Sequence, residues 1–140
     1  MPGLLWLCPL PICVQILLDT HVLIWWLEDA GRLSERARAI LENSDNRVVV
    51  SAVVAWEISI KVGIGKMEPR SLIQRLEGVL KEQSFSELPI TMTTAVRSGM
   101  LPVHHRDPFD RLLVAQAQSL KVGILSADAI FDRYEVKRLW

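Results

Sequence analysis

Four acidic residues occupy positions at which a carboxylate can take part in chemistry. Asp19 and Asp128 close apolar runs that have the character of short buried strands, and Asp110 lies at the start of a helix. Glu57 lies among aliphatic residues of another predicted helix, on the side that should approach a sheet. In parallel α/β sheets, strand ends and helix starts meet at one edge, where ligands are handled. We therefore expect these four carboxylates to share that edge.

Carboxylates forced into one pocket repel each other, and their pKa values rise unless a cation neutralises them. Mg²⁺, for which Mn²⁺ can substitute, takes oxygen ligands and keeps several waters. Such an ion also generates a nucleophile from bound water and neutralises phosphate charge. The set Asp19, Glu57, Asp110 and Asp128 therefore predicts a metal-dependent hydrolysis of phosphodiesters, with all four as catalytic residues and metal ligands.

Each carboxylate also has a purely structural interpretation. An acidic residue in the first turn of a helix, such as Asp110, is favoured by the helix dipole. Asp128 can cap a turn over residues 129–131, and Asp107 has the position of a helix N-cap before Pro108. His104 and His105 are expected to be exposed loop residues. The functional interpretation depends on the combination of the four acidic residues.

The elements that must position these residues alternate along the chain. The apolar pattern predicts strands over 16–18, 47–50, 88–91, 121–126 and 136–140, the third being weak and the last only possible. It predicts helices over 22–27, 34–44, 52–62, 71–80, 94–98 and 107–120. This order favours an α/β fold of three layers, with a central parallel sheet of four or five strands flanked by helices.

Composition excludes several classes of protein. Half of the 140 residues are hydrophobic and 23% are charged, which is typical of a globular domain and not of a disordered tail or a coiled coil. Lysine plus arginine equals aspartate plus glutamate at 16 each, so a nucleic-acid partner would have to bind a local basic rim. Cys8 and Cys13 form neither a disulfide framework nor a zinc site, which favours reduced thiols in the cytoplasm.

The amino-terminal segment 1–15 is apolar but has the pattern of neither a signal peptide nor a membrane span. No positive residue precedes its apolar run, and Pro9 and Pro11 interrupt it. We expect a disordered or artefactual leader over 1–15 and a single nuclease domain over 16–140, with the hypothesis that translation begins at Val14. The protein is expected to have no membrane partner.

Four segments together carry a resemblance to a known family: LLDTHVLIWWL around Asp19, SAVVAWEISIKVGIGK around Glu57, HHRDPFDRLLVAQA around Asp110, and ILSAD ending in Asp128. In this order they resemble PIN-domain proteins, and specifically the VapC toxins of bacterial toxin–antitoxin pairs. The resemblance covers the chain from about Ile16 to its end. The leader departs from it, because this family normally begins just before the first strand.

The resemblance implies a PIN-like fold and a Mg²⁺-dependent endoribonuclease. It implies that Asp19 and Asp110 are the principal metal ligands and that Glu57 and Asp128 complete the acidic pocket. Ser126 matches the hydroxyl residue that lines the pocket of this family, where it positions a water or a phosphate. Which RNA is cleaved is not readable from pocket residues, because RNA is recognised through shape and splayed bases.

Partners are expected from charge, from apolar surface and from the resemblance. The basic residues near the acidic ones, which have the alternative role of an ordinary charged surface, are expected to hold RNA phosphates: Lys61, Lys66, Arg106 and Arg111. The resemblance implies a homodimer and a cognate antitoxin that sends an arginine toward the carboxylates. Residues 25–27 and the helix over 72–80 are expected to supply apolar interface, unless they simply fill the interior.

Two other functions remain open at this point. A haloacid-dehalogenase-like phosphatase also places an aspartate after its first strand, but it uses a second aspartate two residues later, where this chain has His21. A catalytically silent α/β binding module would use the acidic residues only as helix caps. Metal-dependent RNA cleavage by the purified protein discriminates the nuclease from both.

Overall fold

A parallel sheet forms the centre of the computed structural model, which describes residues 14–67 and 70–140. Within these residues, five strands form one sheet in the order β3-β2-β1-β4-β5, and every neighbouring pair is parallel. The strands are β1 Gln15–Leu18, β2 Arg47–Ser51, β3 Ser86–Leu88, β4 Gly123–Leu125 and β5 Arg138–Leu139. The predicted α/β class with a central parallel sheet is confirmed.

Helices connect and flank these strands. They are α1 Thr20–Glu28, α2 Glu35–Glu42, α3 Ala52–Gly63, α4 Arg70–Glu82, α5 Met92–Met100 and α6 Pro108–Leu120. Two short 3₁₀ helices, Ala30–Arg32 and Ala129–Arg133, follow α1 and β4.

Strand β1 lies at the centre of the sheet because its residues are apolar without alternation. Ile16, Leu17 and Leu18 are fully buried, as expected of a strand covered on both faces. Leu17 lies opposite Val49 of β2 and Ile124 of β4. Asp19, the next residue, therefore leaves the sheet at the middle of its carboxyl edge.

Polar side chains cap the helices that begin at this edge. The Asp19 carboxylate accepts a hydrogen bond from the Thr20 N–H at the start of α1. The Ser51 hydroxyl accepts one from Val53 in α3, and the Asp107 carboxylate accepts from Phe109 and Asp110 in α6. These caps satisfy N–H groups that have no partner within the helix. The junctions between β1 and α1 and between β2 and α3 thus place Asp19 and Glu57 near the same sheet edge.

The predicted third strand was placed too late in the chain. The structure has β3 at Ser86–Leu88, whereas the apolar signal predicted 88–91. Ser86 and Glu87 are exposed at the end of the sheet, so their side chains carry no apolar pattern. Thr91 then caps α5, with a reciprocal capping box to Thr94, and this helix is longer than the predicted 94–98.

The residues predicted to form an apolar interface lie mostly in the core, which favours the alternative that they fill the interior. Trp25, Trp26 and Leu27 are partly buried and pack against the core. The apolar face of α4 is also in the core, with Leu72 fully buried and Leu76 and Leu80 each 8% exposed. Periodicity identified the apolar face of α4 correctly, but the sheet and its neighbours cover that face.

The end of the predicted leader belongs to the sheet. Gln15 opens β1 opposite Arg47, and the Val14 N–H donates to Asn46 Oδ1 at 2.9 Å. The rest of the predicted leader, residues 1–13 with both cysteines, lies outside the described residues. In the part of the chain that the structure describes, no helix has the length and apolarity needed to cross a membrane.

Candidate acidic active site

Asp19 lies at the bottom of the candidate site and is only 6% exposed. Its Oδ1 accepts from the Thr20 N–H at 2.7 Å, and its Oδ2 accepts from the Ser126 hydroxyl at 2.7 Å. Burial raises the pKa of Asp19 above its ordinary value, although these two hydrogen bonds and nearby His21 act in the opposite direction. The side chain is thus held in one orientation by groups at the start of α1 and directly after β4.

Glu57 comes to the same place from the second turn of α3 and is 3% exposed. Its Oε1 accepts from the Thr20 hydroxyl at 2.6 Å, so Thr20 contacts Asp19 through its N–H and Glu57 through its hydroxyl. Its Oε2 forms an ion pair with Lys61, one turn later in the same helix. Both oxygens of Glu57 are therefore engaged by side chains of the site.

Asp110 is partly buried in the first turn of α6. Burial is the main reason that its pKa is raised to about 8, and the negative charges of Asp19, Asp107, Glu57 and Asp128 raise it further. These effects mean that the four predicted carboxylates share one electrostatic environment. We call this set, Asp19, Glu57, Asp110 and Asp128, the acidic pocket.

His105 contacts Asp110, and Tyr134 contacts His105. The His105 Nε2 lies 3.3 Å from Asp110 Oδ2, and its Nδ1 lies 2.7 Å from the Tyr134 hydroxyl. We expected His105 to be an exposed loop residue, but its side chain is only 18% exposed. The position of His105 five residues before Asp110 was a usable signal, whereas nothing local indicated Tyr134.

Ser126 connects Asp128 to the rest of the pocket. Its hydroxyl is fully buried, donates to Asp19 and accepts from the Asp128 N–H at 3.0 Å. The Asp128 side chain is more exposed and accepts from the Ile130 N–H at 3.0 Å, so it also caps the 3₁₀ helix that follows. Asp128 therefore has both the structural role considered from the sequence and a place beside Asp19.

Lys61 brings a positive charge into the acidic pocket. Partial burial lowers its pKa, but the hydrogen bond and charge of Glu57, together with Asp107 and Asp110, raise it more, and the pKa stays above its ordinary value. Its ammonium therefore remains charged and partly balances the carboxylates.

The other basic residues differ from one another. Lys66 and Arg106 are exposed, as a phosphate-binding role requires. Arg111 is 9% exposed, and its guanidinium donates to the carbonyls of Ser98, Leu101 and Pro102 at 2.9–3.0 Å. The expectation that Arg111 holds RNA was wrong, because its donors already hold the loop between α5 and α6.

The acidic pocket fits a hard divalent cation by its chemistry. Across residues 14–67 and 70–140, no three His, Cys, Asp or Glu side chains already stand as a ready set of ligands. The Thr20 and Ser126 hydroxyls, Lys61 and His105 instead contact Glu57, Asp19 and Asp110 separately, and the Asp128 carboxylate accepts from a backbone N–H. The candidate ligands are all carboxylate oxygens, and burial, together with the neighbouring negative charges, raises the pKa of Asp110. Mg²⁺ or Mn²⁺ prefers such ligands and would supply a compensating positive charge.

A family model of the PIN domain matches residues 16–137. The chain belongs to the PIN-domain family. The predicted family is thereby confirmed, and the matched region contains every residue of the acidic pocket. No curated protein sequence matches the chain.

Solved structures share this PIN fold. A chain of VapBC2 from Rickettsia felis, bound to a promoter DNA fragment, matches with a TM-score of 0.67 at 15% identity, covering 89% of this chain and 97% of that one. A chain of VapBC-1 from nontypeable Haemophilus influenzae has a TM-score of 0.64 at 17% identity, covering 89% and 96%. A chain of a toxin–antitoxin complex from Klebsiella pneumoniae has a TM-score of 0.58 at 20% identity, covering 81% and 87%. At these identities the likeness concerns the fold.

Proposed function

We propose that this PIN domain is a divalent-metal-dependent endoribonuclease that acts as the toxin of a toxin–antitoxin pair. The observation that carries the proposal is the cluster of carboxylates around Asp110, whose pKa of about 8 reflects burial and unbalanced negative charge. Family membership supports nuclease chemistry, and the structural neighbours from VapBC and toxin–antitoxin complexes support the biological role.

In this proposal Asp19 and Asp110 are the principal ligands of Mg²⁺, or of Mn²⁺ in its place, and Glu57 and Asp128 complete the site. When bound, the ion lowers the pKa of a water ligand and neutralises charge on the phosphate. The protein contributes orientation: Thr20 and Ser126 hold the carboxylates of Glu57 and Asp19, and His105 lies against Asp110. Ser126 also lines the pocket beside Asp128.

RNA must approach this negative pocket without being repelled. Lys66 and Arg106 are exposed and lie close in sequence to Glu57 and Asp110, so we assign them to the backbone phosphates of the substrate. Lys61, inside the pocket, adds a further positive charge near Asp110.

The test is cleavage of a mixed cellular RNA by the purified full chain. We expect cleavage with Mg²⁺ or Mn²⁺, none in EDTA, and collapse of the activity in Asp19→Asn, which keeps the side-chain volume but removes one charge. Sequencing of the new RNA ends then identifies the cleaved site. Metal-independent cleavage, or wild-type activity in Asp19→Asn, would contradict the proposal. Intact RNA under every condition would favour the silent binding module.

The phosphatase alternative has no support from the family match, and His21 still stands where that class needs its second aspartate. We further propose that residues 16–140 form the single nuclease domain. The cytoplasm is the proposed location, because the RNA substrate and an antitoxin would be found there. The disordered or artefactual nature of the leader remains a prediction for mass spectrometry of the native amino terminus.

An antitoxin is the proposed inhibitor of the acidic pocket. A groove of about 370 Å³ between α3 and α4 contains apolar side chains that include Ala55, Trp56 and Ile73. The Trp56 ring meets Phe109, next to Asp110, edge-on at 5.0 Å. An antitoxin segment in this groove would lie close enough to send an arginine to the carboxylates. Coexpression with the adjacent reading frame should yield a stable complex without RNase activity.

A second copy of the chain is the other proposed partner. Met92, Val96 and Met100 form one exposed stripe on α5, being 85%, 62% and 80% exposed, and Val103 beyond them is 76% exposed. Their spacing places them on one helix face, where a self-complementary contact would bury them. Light scattering should show a dimer for the wild type and a monomer for Val96→Glu. A monomeric wild type would remove the dimer from the proposal.

A further inference from the structure

A cleft that combines acidic, aromatic and basic side chains lies beside the acidic pocket. Its volume is about 390 Å³, and it is lined by Asp19, His21, Trp25, Arg32, Ala127 and Asp128. Asp19 and Asp128 also belong to the acidic pocket, so the cleft opens directly onto the proposed site of cleavage. We call it the Trp25 cleft.

Planar groups surround Trp25. The Arg32 guanidinium lies 4.7 Å from the centre of the Trp25 ring, and the His21 ring lies 5.8 Å from it. The Trp140 ring also packs against Trp25, with 6.0 Å between the ring centres. A nucleobase is also planar and stacks readily on an indole or a guanidinium.

The charges along the cleft also favour a nucleotide. The acidic side repels a free phosphate, but Arg32 and His21 are exposed on the cleft wall. A ligand with an uncharged planar group for Trp25 and a phosphate for Arg32 would match this distribution of charge. Single-stranded RNA has both at a spacing of one nucleotide.

We propose that the Trp25 cleft is a base-binding subsite, which holds the nucleotide next to the phosphate that lies at the acidic pocket. This proposal rests on the proposed nuclease function and adds a substrate-positioning role for Trp25 and Arg32. The base stacks against Trp25 and the guanidinium plane, while the adjacent phosphate pairs with Arg32. Because every base has a π-face, such a subsite holds RNA with little base preference.

The neighbouring tryptophan offers a matched control. Trp26 is also partly buried against the core, but its indole N–H donates to Gln83 Oε1 at 3.0 Å, and it borders a different cleft with Leu41 and Phe85. Replacing Trp25 or Trp26 therefore removes the same side chain from adjacent positions, and only one of the two lines the proposed subsite.

The experiment measures binding of a labelled single-stranded ten-nucleotide oligo(A) by fluorescence anisotropy, in EDTA so that cleavage does not interfere. A ten-unit abasic ribose-phosphate chain carries the same phosphates without bases. We expect Trp25→Ala to weaken oligo(A) binding by about 5- to 100-fold and to leave binding of the abasic chain unchanged. Trp26→Ala should bind both chains as the wild type does.

Two further variants separate stacking from folding. Trp25→Leu keeps part of the apolar contact with Trp140, so it should unfold at a higher temperature than Trp25→Ala yet lose oligo(A) affinity to the same extent. Arg32→Ala changes an exposed residue and should weaken both chains and reduce the salt dependence of binding. Arg36→Ala, at an equally exposed position of α2, should have no such effect.

The outcomes are decisive in both directions. Three results would overturn the subsite. Trp25→Leu could lose affinity equally for oligo(A) and the abasic chain, it could bind oligo(A) as tightly as the wild type does, or the wild type could fail to bind oligo(A). RNA cleavage in Mg²⁺ with unaltered binding in Trp25→Leu would reject the subsite alone. Base-dependent binding through Trp25 without any cleavage would reject the nuclease proposal alone.

Discussion

Asp110 and Asp132 both lie next to positively charged or polar partners, but their surroundings shift the pKa of the two carboxyl groups in opposite directions. Asp132 is exposed, and its two oxygens accept from the Arg138 Nε and Nη2 at 2.9 and 3.0 Å. The hydrogen bond to Arg138 lowers the pKa of Asp132. At Asp110, burial and four neighbouring carboxylates raise the pKa to about 8.

The difference distinguishes a surface ion pair from the pocket that we propose as the active site. Asp132 and Arg138 balance each other where water screens them, so the pair needs no further partner. Asp110 is held where its own charge is disfavoured, and the His105 Nε2 lies 3.3 Å from its Oδ2. Such an unfavourable arrangement is typical of functional sites, where a ligand relieves it, and this is why we propose Asp110, and not Asp132, as a ligand of the cation.

The largest expected effect is on cleavage. Asp110→Asn should reduce the rate of RNA cleavage by at least about 100-fold, because the ion loses a principal ligand. Asp132→Asn should leave the rate within about twofold of the wild type, since it changes only a surface pair. Single-turnover cleavage assays at saturating Mg²⁺ measure both, and equal rates for the two variants would break the comparison.

The next effect is on stability as pH changes. The pKa of Asp110 is about 8 in the folded protein against an ordinary 3.8, so the folded state binds this proton more tightly than the unfolded state. The contribution of Asp110 to stability is complete below pH 3.8 and is lost as pH rises toward 8. Asp110→Asn carries no titrating group and should avoid this loss.

We therefore expect the free energy of unfolding of metal-free Asp110→Asn, measured relative to the wild type, to be about 1–3 kcal/mol higher at pH 8 than at acidic pH. Urea unfolding in EDTA at several pH values provides the free energies. Added Mg²⁺ should stabilise the wild type at pH 8 but not the variant. A difference between the two proteins that does not vary with pH would mean that Asp110 is not under electrostatic stress.

Lys61 provides a smaller effect on metal affinity. Its charge lies beside Glu57 and near Asp110, so it competes electrostatically with an incoming cation. Lys61→Met should tighten Mn²⁺ binding by about 3- to 10-fold, as expected for removal of one nearby charge. Calorimetric titration with Mn²⁺ measures this, with Lys66→Met as the exposed control. Weaker binding in Lys61→Met would show that the ammonium helps to hold Glu57 for the ion.

The smallest effect concerns the rim of the pocket. Replacing Lys66 and Arg106 together by Gln should lower the slope of log affinity against log salt concentration by about 1 to 2 for single-stranded RNA, because two phosphate contacts are lost. Mn²⁺ affinity should not change. An unaltered slope would assign both residues to an ordinary solvated surface.

Much of the pocket was predictable because its signals are local. The uninterrupted apolar run 16–18 predicted a strand covered on both faces, and its end placed Asp19 at the sheet edge. The Asp107-Pro108 start fixed the first turn of α6 and so the position of Asp110. These inferences need only the neighbouring residues, since strand ends and helix caps are determined over a few positions.

Contacts between distant segments required the tertiary structure. Ser126 meets Asp19 across 107 positions of sequence, and Tyr134 meets His105 across 29. The sequence predicted that Arg111 binds RNA, but its guanidinium donates to the carbonyls of Ser98, Leu101 and Pro102. A side chain that can donate several hydrogen bonds has many possible partners, and its own position in the sequence does not select among them.

The α/β alternation, the family resemblance and four carboxylates at one sheet edge could therefore be predicted from local sequence. The partners that hold those carboxylates, and the apolar residues that stay exposed, such as Met92 and Met100 instead of Leu72 and Leu76, depend on how distant segments pack. The physical reason is that periodicity records which face of a helix is apolar, whereas burial depends on whether a distant segment of the chain packs over that face.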